Sequence, residues 1–306
     1  MATKRVFILG LLFFTSFIAN SQKAFVFSGK VMDSKNIPIP FCPIYVTNLN
    51  IGTTTDTNGI FSVKIPQGFQ DTAQISMLGY KKHIRYFSSD NNYINCIINL
   101  TDSVYSLNEV IVKPRKYKTY LPVKSKPVRV KDFYTTIGEI SEVAQLFFNQ
   151  ISETSYLKGI YFYRSQFEQG QSRTYFRLKV YKANEDKSPS STMLNNKDII
   201  AFTEQNGYNL INLSDFMVFV PKGYFYLSIE WLKIKGNEDT RSINQEWKNN
   251  LTGELATLKT NVFKPYLGQK EINGIKPVIY SKNFKGIWSL MDTKGMMFTF
   301  FPLLAY

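Results

Sequence analysis

Gly52-Thr53-Thr54-Thr55-Asp56-Thr57-Asn58-Gly59-Ile60-Phe61-Ser62-Val63-Lys64-Ile65-Pro66 decides the fold of the first third of this 306-residue chain. Phe61, Val63 and Ile65 recur every second residue, the spacing that puts them on one face of a strand. Asp56-Thr57-Asn58-Gly59 carries turn chemistry and predicts a hairpin, with Gly59 free to take a positive φ. Working outward, Cys42, Ile44 and Val46 oppose Phe41 and Tyr45. Ile75 and Met77 lead into the turn Leu78-Gly79-Tyr80, and Ile94, Cys96, Ile98 and Leu100 alternate again. Short strands with turn signals about every ten residues predict an all-β sandwich.

Further motifs lie in order along the same stretch. They are Ser28-Gly29-Lys30-Val31-Met32-Asp33, Ile37-Pro38-Ile39-Pro40-Phe41-Cys42-Pro43, Asp71-Thr72-Ala73-Gln74-Ile75-Ser76-Met77-Leu78-Gly79-Tyr80 and Leu107-Asn108-Glu109-Val110-Ile111-Val112. Residues 25–112 thus resemble the carboxypeptidase-regulatory-like domain of Bacteroidetes envelope proteins. That resemblance implies a prealbumin-like β-sandwich, noncatalytic where it accompanies metallocarboxypeptidases. The same module stands at the N-terminus of SusC-like transporters driven by TonB. A plug and large barrel do not fit here, because the roughly 170 residues that remain cannot supply some 22 strands of about ten residues. Glu109-Val110-Ile111-Val112 then reads as the last strand of the sandwich.

Lys4-Arg5, the apolar run Val6 to Ile18 and the small-x-small site Ala19-Asn20-Ser21 read as a signal peptide over residues 1–21. No cysteine follows that site, so the expectation is an exported protein of the periplasm, outer membrane or cell surface that is not a lipoprotein. In an exported chain Cys42 and Cys96 are either a disulfide or two buried thiols, and spacing does not choose between them. The sole histidine, His83, falls in the basic turn Lys81-Lys82-His83.

The net charge of +14 is concentrated. Residues 113–132 hold Lys113, Arg115, Lys116, Lys118, Lys124, Lys126, Arg129 and Lys131 before their first acid, with Pro114, Pro122 and Pro127. This predicts an extended, stiff linker. It is a solvated tether or a contact for anionic envelope polymers or lipid headgroups. Nucleic-acid binding is not expected, since a basic face would spread over a folded domain.

Residues 133–306 read as a second β domain. Glu142 to Phe148, Gly159 to Tyr163, Tyr175 to Tyr181, Ile199 to Thr203, Tyr208 to Leu213, Tyr224 to Trp231, Val278 to Tyr280, Gly286 to Trp288 and Phe298 to Phe300 look like strands. Phe176, Leu178 and Val180 would face a core while Tyr175, Arg177, Lys179 and Tyr181 face out. Phe225, Leu227, Ile229 and Trp231 likewise oppose Tyr224, Tyr226, Ser228 and Glu230. Two faces of opposite character with long polar loops, such as Ala183 to Lys197, suggest a jelly-roll-like sandwich. Phe176-Arg177-Leu178-Lys179-Val180-Tyr181, Gly207 to Ser214 and Gly223 to Trp231 resemble jelly rolls that accompany the regulatory-like module in Bacteroidetes envelope proteins.

Catalytic parts are sparse. With one histidine, neither a His-based triad nor a His-based zinc site has its components, and no phosphate loop or Gly-x-Ser-x-Gly elbow is present. No cofactor or metal is expected. Glu204, Asp215, Glu230 and Glu238 leave glycoside hydrolysis as a minor alternative. The leading expectation is a noncatalytic envelope protein that binds or scaffolds, with envelope proteins or polysaccharide as partners. The alternative is a carbohydrate-binding site in which Tyr175, Tyr181, Tyr226 and Trp288 stack on sugar and Arg177 and Glu230 hydrogen-bond it. Such rings are also favoured on any β surface. A small outer-membrane barrel is a lesser reading, hinted at by Met296-Met297-Phe298-Thr299-Phe300-Phe301 and Tyr306.

Overall fold

The computed structural model describes residues 24–88, 95–103, 118–122, 130, 132–136, 140–151, 155–165, 173–248, 253, 255–271, 274 and 276–306. Residues 1–23, most of the basic segment and Glu109-Val110-Ile111-Val112 lie outside them. Within the described residues regular structure is strand, apart from two short 3₁₀ turns at Ser214–Phe216 and Lys235–Asn237. The all-β reading therefore stands.

Two hydrophobic cores organise the chain. The first is closed by β1 (Ala24–Met32), β2 (Pro43–Val46), β3 (Ile51–Thr54), β4 (Ile60–Pro66), β5 (Gln70–Ile75), β6 (His83–Ser88) and β7 (Cys96–Asn99). A sheet ordered β4-β1-β7 packs against one ordered β3-β2-β5-β6. Phe27, Val31, Ile44, Phe61, Ile65, Ile75, Phe87 and Ile98 fill the space between. The inward parity seen in sequence puts these side chains there, since alternate residues of a strand share a face. The Asp56–Gly59 turn forms, with Gly59 at φ 74° and its N–H donating to the Asp56 carbonyl. It is not a hairpin, however: β3 pairs with β2 and β4 with β1, so the turn carries the chain from one sheet to the other.

The second core lies between two larger antiparallel sheets. Their strands are β8 (Thr119–Tyr120), β9 (Asp132–Thr136), β10 (Ile140–Asn149), β11 (Ser155–Arg164), β12 (Thr174–Ala183), β13 (Pro189–Met193), β14 (Ile199–Thr203), β15 (Gly207–Asn212), β16 (Phe219–Val220), β17 (Gly223–Trp231), β18 (Glu238–Lys248), β19 (Leu255–Glu271), β20 (Ile279–Asn283), β21 (Trp288–Leu290), β22 (Met296–Phe298) and β23 (Phe300–Ala305). One sheet runs β13-β12-β17-β10-β20-β21, with β14 also on β12. The other runs β18-β19-β11-β23-β8, with β15 and β16 on β11 and β9 and β22 on β19. Val143, Phe147, Phe162, Phe176, Leu178, Phe225, Leu227, Ile229, Phe298 and Phe300 pack between them.

Several expectations are corrected here. The polar stretch Ala183 to Lys197 is not only a loop: it contains β13, paired with β12. Part of the expected linker is an edge strand, because Thr119 and Tyr120 stand opposite Ala305 and Leu304 and Lys118 exchanges backbone hydrogen bonds with Tyr306. The apolar closing segment that hinted at a barrel is core, with Phe298 and Phe300 fully buried in the sandwich. β18 and β19, which lack clean alternation in sequence, form a long hairpin that was not among the expected strands. Of the two alternatives for Cys42 and Cys96, the structure has the buried thiols and not the disulfide. Both thiols are free and buried, Cys42 beside the β2 sheet and Cys96 in the β1 sheet with its Sγ 3.5 Å from Ser28 O. Burial pushes the Cys42 thiol up to about 12, against the opposing pull of Arg177.

Candidate functional site

The seven-stranded sheet has two unlike faces. Its inner face holds the apolar core, and its outer face carries a row of charges laid across four strands. On that row Lys282 of β20 stands opposite Glu142 of β10, Glu142 opposite Glu230 of β17, and Glu230 opposite Arg177 of β12. Two carboxylates directly opposed across a strand pair repel one another. Lys179, one pleat along β12, removes that repulsion by placing Nζ 3.1 Å from Glu142 Oε2 and 2.9 Å from Glu230 Oε2. Ser228 donates its hydroxyl to Glu142 Oε1 at 2.5 Å.

Arg177 closes the other end. Its Nε lies 2.6 Å from Asp198 Oδ1 and its Nη1 2.7 Å from Glu230 Oε2. Its Nη2 donates to the carbonyl of Phe41, which belongs to the first sandwich. Burial alone would raise the two glutamic acids, but Lys179 with Lys282 outweighs it at Glu142, and Lys179 with Arg177 outweighs it at Glu230. Both carboxyls are held below the usual range. Burial likewise opposes the charge on Arg177, and Glu230 and Asp198 reverse it, so the guanidinium is held more firmly than usual. Buried charges are tolerated when each is paired in this way.

The first sandwich covers this face. Thr53 donates its hydroxyl to Lys233 O at 3.4 Å, and Lys233 N–H donates to Thr54 Oγ1 at 3.2 Å. Tyr45 stacks on Phe284 and Phe41 on Tyr175, each with centroids 6.1 Å apart. Gly52 permits the contact: a Cβ there would sit 2.6 Å from the Phe284 ring, closer than packed carbons approach. The Lys233 ammonium lies 4.4 Å from the Phe284 centroid, a cation–π distance, and burial pushes it down to about 7. A cleft of about 410 Å³ remains at the junction, with the ionic row as its floor.

Of the residues expected to bind ligand, Arg177, Tyr181 and Glu230 line this cleft. Their parity was read correctly and their exposure was not. Tyr181 is 2% and Tyr226 0% exposed, so neither offers a face to a sugar. Tyr181 meets Trp288 edge-on with centroids 5.5 Å apart, and the Tyr226 hydroxyl donates to Lys187 O. Tyr175 is half-buried between Phe41 and Phe202. Glu142, Lys179, Asp198, Lys282 and Phe284 were not proposed as site residues. For Glu142, Lys179 and Lys282 the available signal was a charge on the outward parity of a strand; Asp198 and Phe284, just outside β14 and β20, carried none.

The geometry offers little to hydrolysis at this pair. Glu142 and Glu230 are both ionised, and a glycosidase pair needs one carboxyl raised to serve as acid. Glu204 pairs instead with Arg173 on the surface, Nε to Oε1 2.5 Å. Among the described residues, no group of three or more His, Cys, Asp or Glu is placed to hold a metal. No described helix is long and apolar enough to cross a membrane.

Residues 27–112 match the family model of the CarboxypepD_reg-like domain. The match coincides with the first sandwich and with the motifs that pointed to it. No curated protein matches the chain. Among solved structures, the crystal structure of BcpA, the major pilin subunit of Bacillus cereus, aligns over 91% of this chain and 85% of that one. Identity is 9% and the TM-score 0.20, at which the likeness carries no argument.

Proposed function

We propose that this chain is an exported, noncatalytic protein of the bacterial envelope that works by binding, and that its two sandwiches act as one docked unit. The regulatory-like domain supports a noncatalytic role, and the signal-like N-terminus supports export. The observation that carries the docked unit is the Arg177–Phe41 hydrogen bond at the end of a fully paired ionic row. That row is costly to uncover, because separating the sandwiches would leave part of a buried network without its partner. Its Bacteroidetes origin and its place among outer-membrane partners rest on the family resemblance.

Stacking of sugars on the outer-face aromatics has less support, because the rings at Tyr181 and Tyr226 pack inside the protein. The test is fractionation of producing cells followed by chemical crosslinking in intact envelopes and mass spectrometry of the products. Recovery in the envelope, crosslinked to other envelope components, is the expected result. A cytosolic protein without crosslinks overturns the reading.

A further inference from the structure

We infer that the cleft between the sandwiches is a binding site for an anionic group, a carboxylate or phosphate carried by a short sugar or peptide. Five cationic side chains line it, Lys82, Arg177, Lys179, Lys282 and Lys285, against the three carboxylates Glu142, Asp198 and Glu230. The carboxylates are satisfied from within, so they present little unmet acceptor capacity. The cations have donors to spare. An ammonium carries three hydrogens. Lys179 uses two on Glu142 and Glu230, and Lys282 gives one to the Tyr181 hydroxyl at 3.4 Å while its Nζ stands 3.6 Å from Glu142 Oε2.

Lys82 comes from the first sandwich and Lys285 from the β20–β21 turn, both exposed at the mouth and in no ion pair with a described residue. Lys282 is held over the Trp288 ring at 4.9 Å, which fixes the direction of its stem. Lys82 and Lys285 at the rim, over a floor whose carboxylates are already paired, leave a net positive field at the opening that draws in anions. Met77, Met193 and Phe284 line the cleft beside the charges and suit the apolar body of a ligand. At about 410 Å³ the space falls within the range of small-molecule sites.

The site needs the docked arrangement of the proposed function but not its location, so titration of the purified protein and cell fractionation fail independently. Isothermal titration would use trigalacturonate, neutral maltotriose and inorganic phosphate at low salt. Trigalacturonate should bind at least about tenfold more tightly than maltotriose, a margin that charge contacts of this kind can supply. Lys82→Ala with Lys285→Ala should weaken it about tenfold at unchanged melting temperature, and Lys282→Gln should weaken it too. Lys124→Ala with Lys126→Ala should leave it unchanged. Phosphate competing with trigalacturonate identifies the charged group as the recognised part, and phosphate binding without trigalacturonate binding assigns the site to phosphate. Equal binding of both sugars, binding lost with the linker pair and kept with the cleft pair, or no binding of any anion overturns the inference.

Discussion

The two faces of the seven-stranded sheet are held by different physics. The inner face is apolar, and its partner is the second sheet of the same sandwich. The outer face is charged, and it is partly covered by the first sandwich. Hydrophobic burial is nondirectional and tolerates repacking. The ionic row depends on register, because only this register sets Arg177 against Glu230 and brings Lys179 within reach of both glutamates. The polar side of an alternating strand is therefore not always the wet side; it is also where a neighbouring domain can be specified.

The largest effect should come from the apolar face. Phe176→Ala leaves a void where the ring stacks on Phe162 with centroids 4.5 Å apart, at a cost of about 3–5 kcal/mol in denaturant unfolding. Retention of full stability would break the comparison at its simpler end. Next comes Glu230→Ala, which takes from Arg177 one of its two carboxylate partners and from Lys179 one of its two. A loss of about 3 kcal/mol is expected, whereas replacing Glu142, Glu230 and Lys179 together by apolar residues, which keeps Arg177 paired with Asp198, should restore much of it. A triple variant as unstable as the single would show that the charges contribute beyond being paired.

Acid should act on the same row. Glu142 and Glu230 are depressed in the folded protein, so their contribution is intact above the unfolded value of about 4.3 and is lost as pH falls through the folded values. Melting scans from pH 6 to pH 2 should show the decline setting in below about pH 4.3, and steeper than in the triple variant. A smaller effect is expected from Gly52→Ala. The new methyl meets Phe284 and should cost about 1–3 kcal/mol, with faster proteolysis between the sandwiches and an unchanged core in the second one. Protection of that junction in the variant would mean that the two units do not depend on this contact.

Much of this was legible in residues. Phe61, Val63 and Ile65 announced the first sandwich, and Phe176, Leu178 and Val180 against Arg177 and Lys179 announced which side of β12 is core. The β18–β19 hairpin was not legible, because its residues lack the alternation that burial on one face imposes. Nor was the role of the 183–197 segment, whose polar composition matches both a loop and the short edge strand it contains.

Side-chain alternation is a local property, set by backbone geometry within one strand, and the sequence by itself determined it: all-β class, inward parity, the turn at Gly59 and the family of the first sandwich. Which strand lies beside which, and what covers a finished face, depend on contacts between residues far apart in the chain. Glu230 and Arg177 are 53 residues apart and Arg177 and Phe41 are 136. Only the tertiary structure could turn a row of apparently solvated charges into a buried junction, because a charge on an outward parity reads the same in sequence whether water or another domain lies beyond it.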